Sequence, residues 1–191
     1  PTSPRFLFVG RLTEKKAPDD LLRALAKLRD ESGVPAELEV VGDGPLRESL
    51  GKLARELGVE AGVRWLGELP RSEIAEDLRR ATSMGLASVV AEGGEREGTP
   101  VVLMEAAALG VPCITTRHMG NPDVLPEEGQ RFVVEERDPT ALADAMARMV
   151  SLSPTQRSAL QRAGREHIEQ RFNLHRIADA YDALYRELLG A

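Results

Sequence analysis

The sequence predicts an α/β protein: a doubly wound parallel sheet of about six strands with helices on both faces. Two observations carry that reading. Short apolar runs bounded by Gly or Pro alternate along the chain with segments whose leucines recur at helical spacing. The segments between the runs are long enough for helical crossovers, which parallel strands require and hairpin-linked strands do not.

The elements follow in order. Arg5–Val9 (RFLFV) lies between Pro4 and Gly10 and reads as a strand. Asp19–Asp30 carries Leu21, Leu22, Leu25 and Leu28 on one helical face, with Pro18 at its entry and Asp19 and Asp20 at the positive end of the helix dipole. Glu37–Val41 (ELEVV) is the second strand, and Gly42-Asp43-Gly44-Pro45 turns it into a helix bearing Leu46, Leu50, Leu53 and Leu57 that ends at Gly58. Val63–Leu66 is the third strand, followed by a helix over about Ser72–Arg80. Met84–Val90 is the fourth, and a Gly/Glu-rich loop then leads to a helix from Thr99-Pro100 to Leu109, stopped by Gly110. Pro112–Thr116 and Arg131–Val134 are the fifth and sixth strands. Three helices close the chain: Pro139–Ser151, a second over about 154–171, and a last over about 173–189, capped by Asn173. This is a Rossmann-like arrangement, and residues 1–191 read as one domain. In such sheets ligands bind beyond the carboxyl ends of the strands, which directs attention to the loops that follow them.

Composition narrows the function. The 31 acidic residues against 25 Lys and Arg give a net charge of -6, which argues against a nucleic-acid binder with its basic stripe. The longest run without a charged residue is 11, as in Ala81–Ala91, too short for a transmembrane segment. Pro1-Thr2-Ser3-Pro4 runs into a strand without a leader pattern, and the single cysteine, Cys113, suits a reducing compartment, so a soluble cytoplasmic domain is expected. Three histidines and one cysteine make a closed Cys/His zinc site improbable, and no metal site is expected. There is no Gly-x-Ser-x-Gly elbow, Walker loop or His-Glu-x-x-His.

The candidate chemistry lies in three loops. Gly10-Arg11 and Lys16 follow the first strand: a glycine permits close backbone approach, and a planar guanidinium beside a mobile ammonium suits phosphate oxygens. The bland alternative is a pair of solvated loop cations. Gly42-Asp43-Gly44 opens like a dinucleotide fingerprint, but Arg47 stands at the third glycine, leaving a tight turn as the better reading. Glu97-Gly98-Thr99-Pro100 precedes the fourth helix, with Thr99 as N-cap and Pro100 as first helical residue; the free N–H groups there suit a diphosphate. Glu105 lies nearly two turns into the apolar PVVLMEAAAL segment, where burial of an unpaired carboxylate would be costly, so the pattern predicts two carboxylates flanking one pocket. Carboxylates there can accept paired hydrogen bonds from sugar or ribose hydroxyls. His118 faces the same edge without a visible acidic partner and reads as structural or exposed; Cys113 and Trp65 read as packed strand residues.

Phe8-Val9-Gly10-Arg11-Leu12, Glu14-Lys15-Lys16, Val41-Gly42-Asp43-Gly44-Pro45-Leu46, Glu97-Gly98-Thr99-Pro100 with Glu105-Ala106, and Gly110-Val111-Pro112 occur in this order. The chain thereby resembles the C-terminal, donor-binding half of a retaining GT-B glycosyltransferase of family four, in its bacterial exopolysaccharide flavour. The seven residues between Glu97 and Glu105 match that family's Glu-x7-Glu motif. The resemblance implies that Arg11 and Lys16 grip the diphosphate of a nucleotide sugar in place of a metal. It implies also that Glu97 holds donor-sugar hydroxyls, that Gly98, Thr99 and the helix start meet the phosphates, and that Glu105 binds the ribose. Catalysis would rest on Glu97, Arg11 and Lys16, and the donor-binding set would be Gly10, Arg11, Lys16, Glu97, Gly98, Thr99, Pro100 and Glu105. No cofactor beyond the nucleotide-sugar substrate is implied.

The family places its acceptor in a cleft against an N-terminal domain, which is expected to lie outside this chain. The isolated chain is therefore expected to bind nucleotide weakly and transfer nothing, and the final helix to expose part of its apolar stripe. The full enzyme would work at the inner membrane face or in the cytoplasm. Ala17, Met119-Gly120 and Asn121-Pro122-Asp123 depart from the family's frequent Gly, Gly-Gly and Ile-Pro-Glu. Two alternatives stay open: half of a GT-B phosphorylase or sugar-nucleotide epimerase, and a non-enzymatic α/β binding module.

Overall fold

The computed structural model describes residues 3–189; Pro1 and Thr2, at the head of the segment read for a leader, lie outside them, as do Gly190 and Ala191. Six strands form one parallel sheet: β1 (Arg5–Val9), β2 (Glu37–Val41), β3 (Val63–Gly67), β4 (Ser83–Leu86), β5 (Cys113–Thr116) and β6 (Val133–Val134). Their spatial order is β3-β2-β1-β4-β5-β6. Every neighbour pair is parallel, from Phe6 beside Leu38 and Ser83 at the centre to Thr115 beside Val133 at the edge. The strand order reverses between β1 and β4, the position at which sheets of this kind generally form a ligand crevice.

Helix α1 (Pro18–Ser32) packs against both α2 (Arg47–Glu56) and α6 (Pro139–Val150). Helix α4 (Val101–Ala108) packs on α7 (Pro154–Arg171) and shares a cavity with α3 (Arg71–Arg80). These two sets clothe the sheet. Both faces of a parallel sheet are thus dry, which is why β1 reads as an apolar run and why β4 and β5 are buried at every position. The core joins Phe6, Phe8, Leu21, Leu25, Leu38, Leu103, Phe132 and Met146 into one cluster.

The structure corrects several boundaries. β4 ends at Leu86, not Val90. The amides that would extend it are used elsewhere: Val89 N–H donates to the Lys15 carbonyl at 2.9 Å and Val90 N–H to a Glu136 carboxylate oxygen at 2.9 Å. β6 is only Val133–Val134, because Glu127–Phe132 forms a 3-10 turn. A short helix, α5 (Asn121–Val124), occupies the loop after β5.

Helix α4 begins at Val101, with Pro100 as its N-cap and no side-chain cap. Thr99 is therefore outside the helix; its hydroxyl abuts Gly120, where an added Cβ would collide with it. The last helix, α8 (Leu174–Leu189), is capped by Asn173, whose Oδ1 accepts from His175 N–H at 2.9 Å. Its apolar stripe lies open: Leu174, Tyr181, Leu184, Tyr185 and Leu188 are all exposed, a wider exposure than the partial one the family resemblance implies.

Candidate functional site

The loops after β1 and β2 are folded onto each other by close backbone contact. Leu12 N–H donates to the Asp43 carbonyl at 2.9 Å, and Leu46 N–H to the Leu12 carbonyl at 3.2 Å. A Cβ on Gly42 would strike the Gly10 carbonyl oxygen, so this turn admits no side chain there. The Gly-Asp-Gly sequence thus serves loop-to-loop packing. Between these loops and the start of α3 lies an open cleft of about 850 Å³, lined by Gly10, Arg11, Gly42, Gly44, Leu69 and Ile74 among others. Arg11 is exposed and, among the described residues, its guanidinium makes no hydrogen bond or ion pair, leaving all its donors free.

Lys16 crosses back over this loop. A Cβ on Gly10 would lie 2.9 Å from its Cδ, so glycine makes room for the lysine stem. Its ammonium meets Glu97 Oε2 at 2.9 Å, and Lys15 approaches Glu97 Oε1 at 3.4 Å. Burial pushes the Glu97 carboxyl upward, but the hydrogen bond and charge of Lys16, with Lys15, outweigh it and hold the group below its ordinary value. Glu97 is thus an anion shared by two lysines across the switch point.

Glu97 is also held through its backbone. Its N–H donates to His118 Nε2 at 3.1 Å, and His118 Nδ1 lies 2.6 Å from Glu136 Oε1. Burial raises the Glu136 carboxyl, yet hydrogen bonds from Val90 N–H and His118, aided by Arg137, bring it below its usual value. Arg137 in turn donates to the Val90 carbonyl at 2.9 Å and to Glu14 at 3.3 Å, and Glu14 accepts the Glu92 N–H at 2.7 Å. The loops after β1, β4, β5 and β6 are therefore stitched into one rim. Among the described residues the non-glycine positive φ angles are at Ala17, Met119 and Arg137, each directly following a member of this network: Lys16, His118 and Glu136. Left-handed backbone at non-glycine residues is costly and gathers where side chains must be aimed.

Some sequence-chosen residues come together and some do not. Gly10 and Arg11 line the large cleft. Lys16 and Glu97 are paired with each other beside that cleft, where the Lys16 stem passes Gly10, and are not among its lining residues. Gly98 and Thr99 are exposed ahead of α4, and Pro100 is buried as its cap. Glu105 is the correction: it is exposed rather than buried, so no desolvation argument applies to it. It lines a second, more apolar cavity of about 300 Å³ with Arg71, Ile74, Ala75, Leu78, Ala108 and Leu109. Ile74 belongs to both cavities and forms their common wall. The expectation that His118 lacks an acidic partner is also overturned, because Glu136 supplies one and the imidazole is 1% exposed.

Glu136, Glu14 and Arg137 escaped the sequence reading as site residues, since their roles come from contacts between distant loops. One signal was available: parallel topology brings the loops after β5 and β6 to the same edge, so His118 and Glu136 fall side by side. No helix among the described residues is long and apolar enough to cross a membrane.

The chain is 37% identical over 192 residues to a D-inositol 3-phosphate glycosyltransferase of Saccharomonospora viridis, covering 96% of this chain and 43% of that protein. It is 33% identical over 171 residues to the amylovoran biosynthesis glycosyltransferase AmsK of Erwinia amylovora, covering 90% of this chain and 42% of that protein. The chain thus spans less than half the length of these curated relatives. Among solved structures, Anabaena HepE in complex with UDP superposes with a TM-score of 0.78 at 20% identity, over 95% of this chain and 49% of HepE, a likeness of fold. Residues 1–167 match the family model for glycosyl transferases group 1, and with such relatives over nine-tenths of its length, the chain belongs to that family.

Proposed function

We propose that this chain is the donor-binding half of a retaining, metal-independent glycosyltransferase. It would take a sugar from a nucleotide-diphosphate sugar for transfer to a glycan or lipid-linked acceptor. The observation that carries the reading is one loop after β1 that presents Arg11, unpaired among the described residues, to the large cleft and Lys16 to Glu97 across the switch point. A departing nucleoside diphosphate develops negative charge. Arg11, Lys16 and the N–H groups at the start of α4 stabilise that charge without a divalent ion.

Glu97 accepts hydroxyls of the donor sugar, while Gly10, Gly98, Thr99 and the Pro100 cap leave the backbone open to the phosphates. Glu105, in the adjoining cavity that shares Ile74 with the cleft, accepts the ribose hydroxyls. The acceptor site belongs to an N-terminal domain outside this chain, a reading supported by the chain's coverage of less than half of its relatives. The full enzyme works in the cytoplasm, against the inner membrane face where the acceptor is lipid-linked.

Calorimetric titration with UDP, GDP and ADP tests this. One nucleotide binds the native chain weakly, and Arg11→Ala weakens it at least about tenfold, or roughly 1.4 kcal/mol. Equal binding by both proteins, or sugar transfer by the 191-residue chain alone, would overturn the assignment.

A further inference from the structure

We propose that His118, clamped between Glu136 and the Glu97 amide, is a positioning residue that fixes where the Glu97 carboxylate points. The inference rests on the reading of Glu97 as the donor-sugar contact and adds a residue pair to it.

The geometry assigns the proton. A peptide N–H can only donate, so the Nε2 atom 3.1 Å from Glu97 N must be the bare nitrogen. The imidazole proton is then on Nδ1, donated to Glu136 Oε1 at 2.6 Å. Glu136 is anchored on its other oxygen by Val90 N–H at 2.9 Å, so the ring cannot swing without breaking a bond at each end. The ring is 1% exposed, and water cannot replace either partner.

Glu97 needs such a tie. It lies in a loop with glycines at 93, 94 and 98 whose first residue is tied outward, Glu92 N–H to Glu14 at 2.7 Å, while Ala91 N–H to Glu95 O and Gly94 N–H to Ala91 O are internal to it. Among the described residues, the Glu97 amide makes the one backbone hydrogen bond from residues 95–98 to the body of the domain. Among the described residues its carboxylate is held only by the flexible ammonium groups of Lys15 and Lys16, which a diphosphate would draw away. Once they turn to phosphate, His118 is what keeps Glu97 aimed at the sugar.

The test separates sugar from nucleotide. UDP, GDP and ADP are titrated beside UDP-glucose, GDP-mannose and ADP-glucose. In His118→Ala the diphosphate that binds stays within about twofold, while its sugar ester weakens about tenfold. His118→Gln, whose Oε1 can occupy the place of Nε2, recovers most of that loss. Equal loss for both ligands, or a Gln variant as poor as the Ala variant, would show a merely structural role and overturn the proposal.

A ligand-free readout keeps the two readings apart. Nitrogen-15 NMR of the native chain should show Nδ1 protonated, and hydrogen exchange at the Glu97 amide should quicken at least about tenfold in His118→Ala. A protonated Nε2 or unchanged exchange sinks the clamp even if nucleotides bind. If no nucleotide binds, the donor-site reading falls and these two measurements still decide the clamp.

Discussion

The layer formed by α1 and α6 and the rim formed by the loops after β1, β4, β5 and β6 are built on opposite rules. In the layer, Leu21, Leu22, Leu25, Leu142 and Met146 are buried, both helices start at prolines, and no residue within either helix has a positive φ. In the rim, acids and bases crowd together and three non-glycine residues hold left-handed backbone. The layer supplies the stability that the rim spends on aiming charged groups. Substitutions should therefore cost folding in the layer, and change binding or even raise stability in the rim.

The largest effect belongs to the layer. Leu25→Ala removes a fully buried side chain from α1 and should cost about 2–5 kcal/mol in urea denaturation, with nucleotide affinity of the folded protein unchanged. Arg11→Ala should do the reverse. It loses about 1.4 kcal/mol or more of nucleotide binding while unfolding within about 0.5 kcal/mol of the native chain, since Arg11 is exposed and unpaired among the described residues. A large stability loss in Arg11→Ala would break the contrast.

Asp20, buried in the first turn of α1, tests the boundary between the two regions. Burial, with repulsion from Asp19, raises its carboxyl from 3.8 to about 6, against a partial lowering by Arg137. A raised acid disfavours the folded state only when ionised. The cost is absent below about pH 4, grows between about pH 4 and 6, and is complete above that. Asp20→Asn should therefore stabilise the chain at about pH 7, by at least about 1 kcal/mol with roughly 3 kcal/mol as the ceiling the full shift sets, and leave it unchanged near about pH 3.5, as read from paired denaturation curves.

Smaller still is Met119→Gly. Met119 is 57% exposed with φ of 40°, so glycine relieves strain without losing packing and should add about 0.5 kcal/mol. Least of all, Leu184→Lys on the open face of α8 should change stability by less than about 0.5 kcal/mol in thermal unfolding. A destabilisation of several kcal/mol there would mean the stripe is covered in solution.

Legibility in the sequence follows the same division. Where a residue's fate depends on its near neighbours, as in Arg5–Val9, Glu37–Val41 or the leucines of α1, local pattern was sufficient, and parallel pairing followed from crossover rules. The fourth strand reads as far as Val90 because apolar residues continue past Leu86, but the amides of Val89 and Val90 are claimed by Lys15 and Glu136 from distant loops. Glu105 reads as buried because it has apolar neighbours on either side along α4, and only the packing of the helix reveals which side meets solvent.

Local pattern and crossover rules suffice for the parallel α/β fold and for placing Arg11, Lys16 and Glu97 at the carboxyl edge of its sheet. Tertiary structure alone decided that Lys15 and Lys16 share Glu97, that His118 is locked by Glu136, and that Glu105 faces a separate cavity. The reason is physical: secondary structure is set by contacts a few residues apart, whereas a hydrogen bond between residues 21 or 81 positions apart exists only once the sheet has brought their loops to one edge.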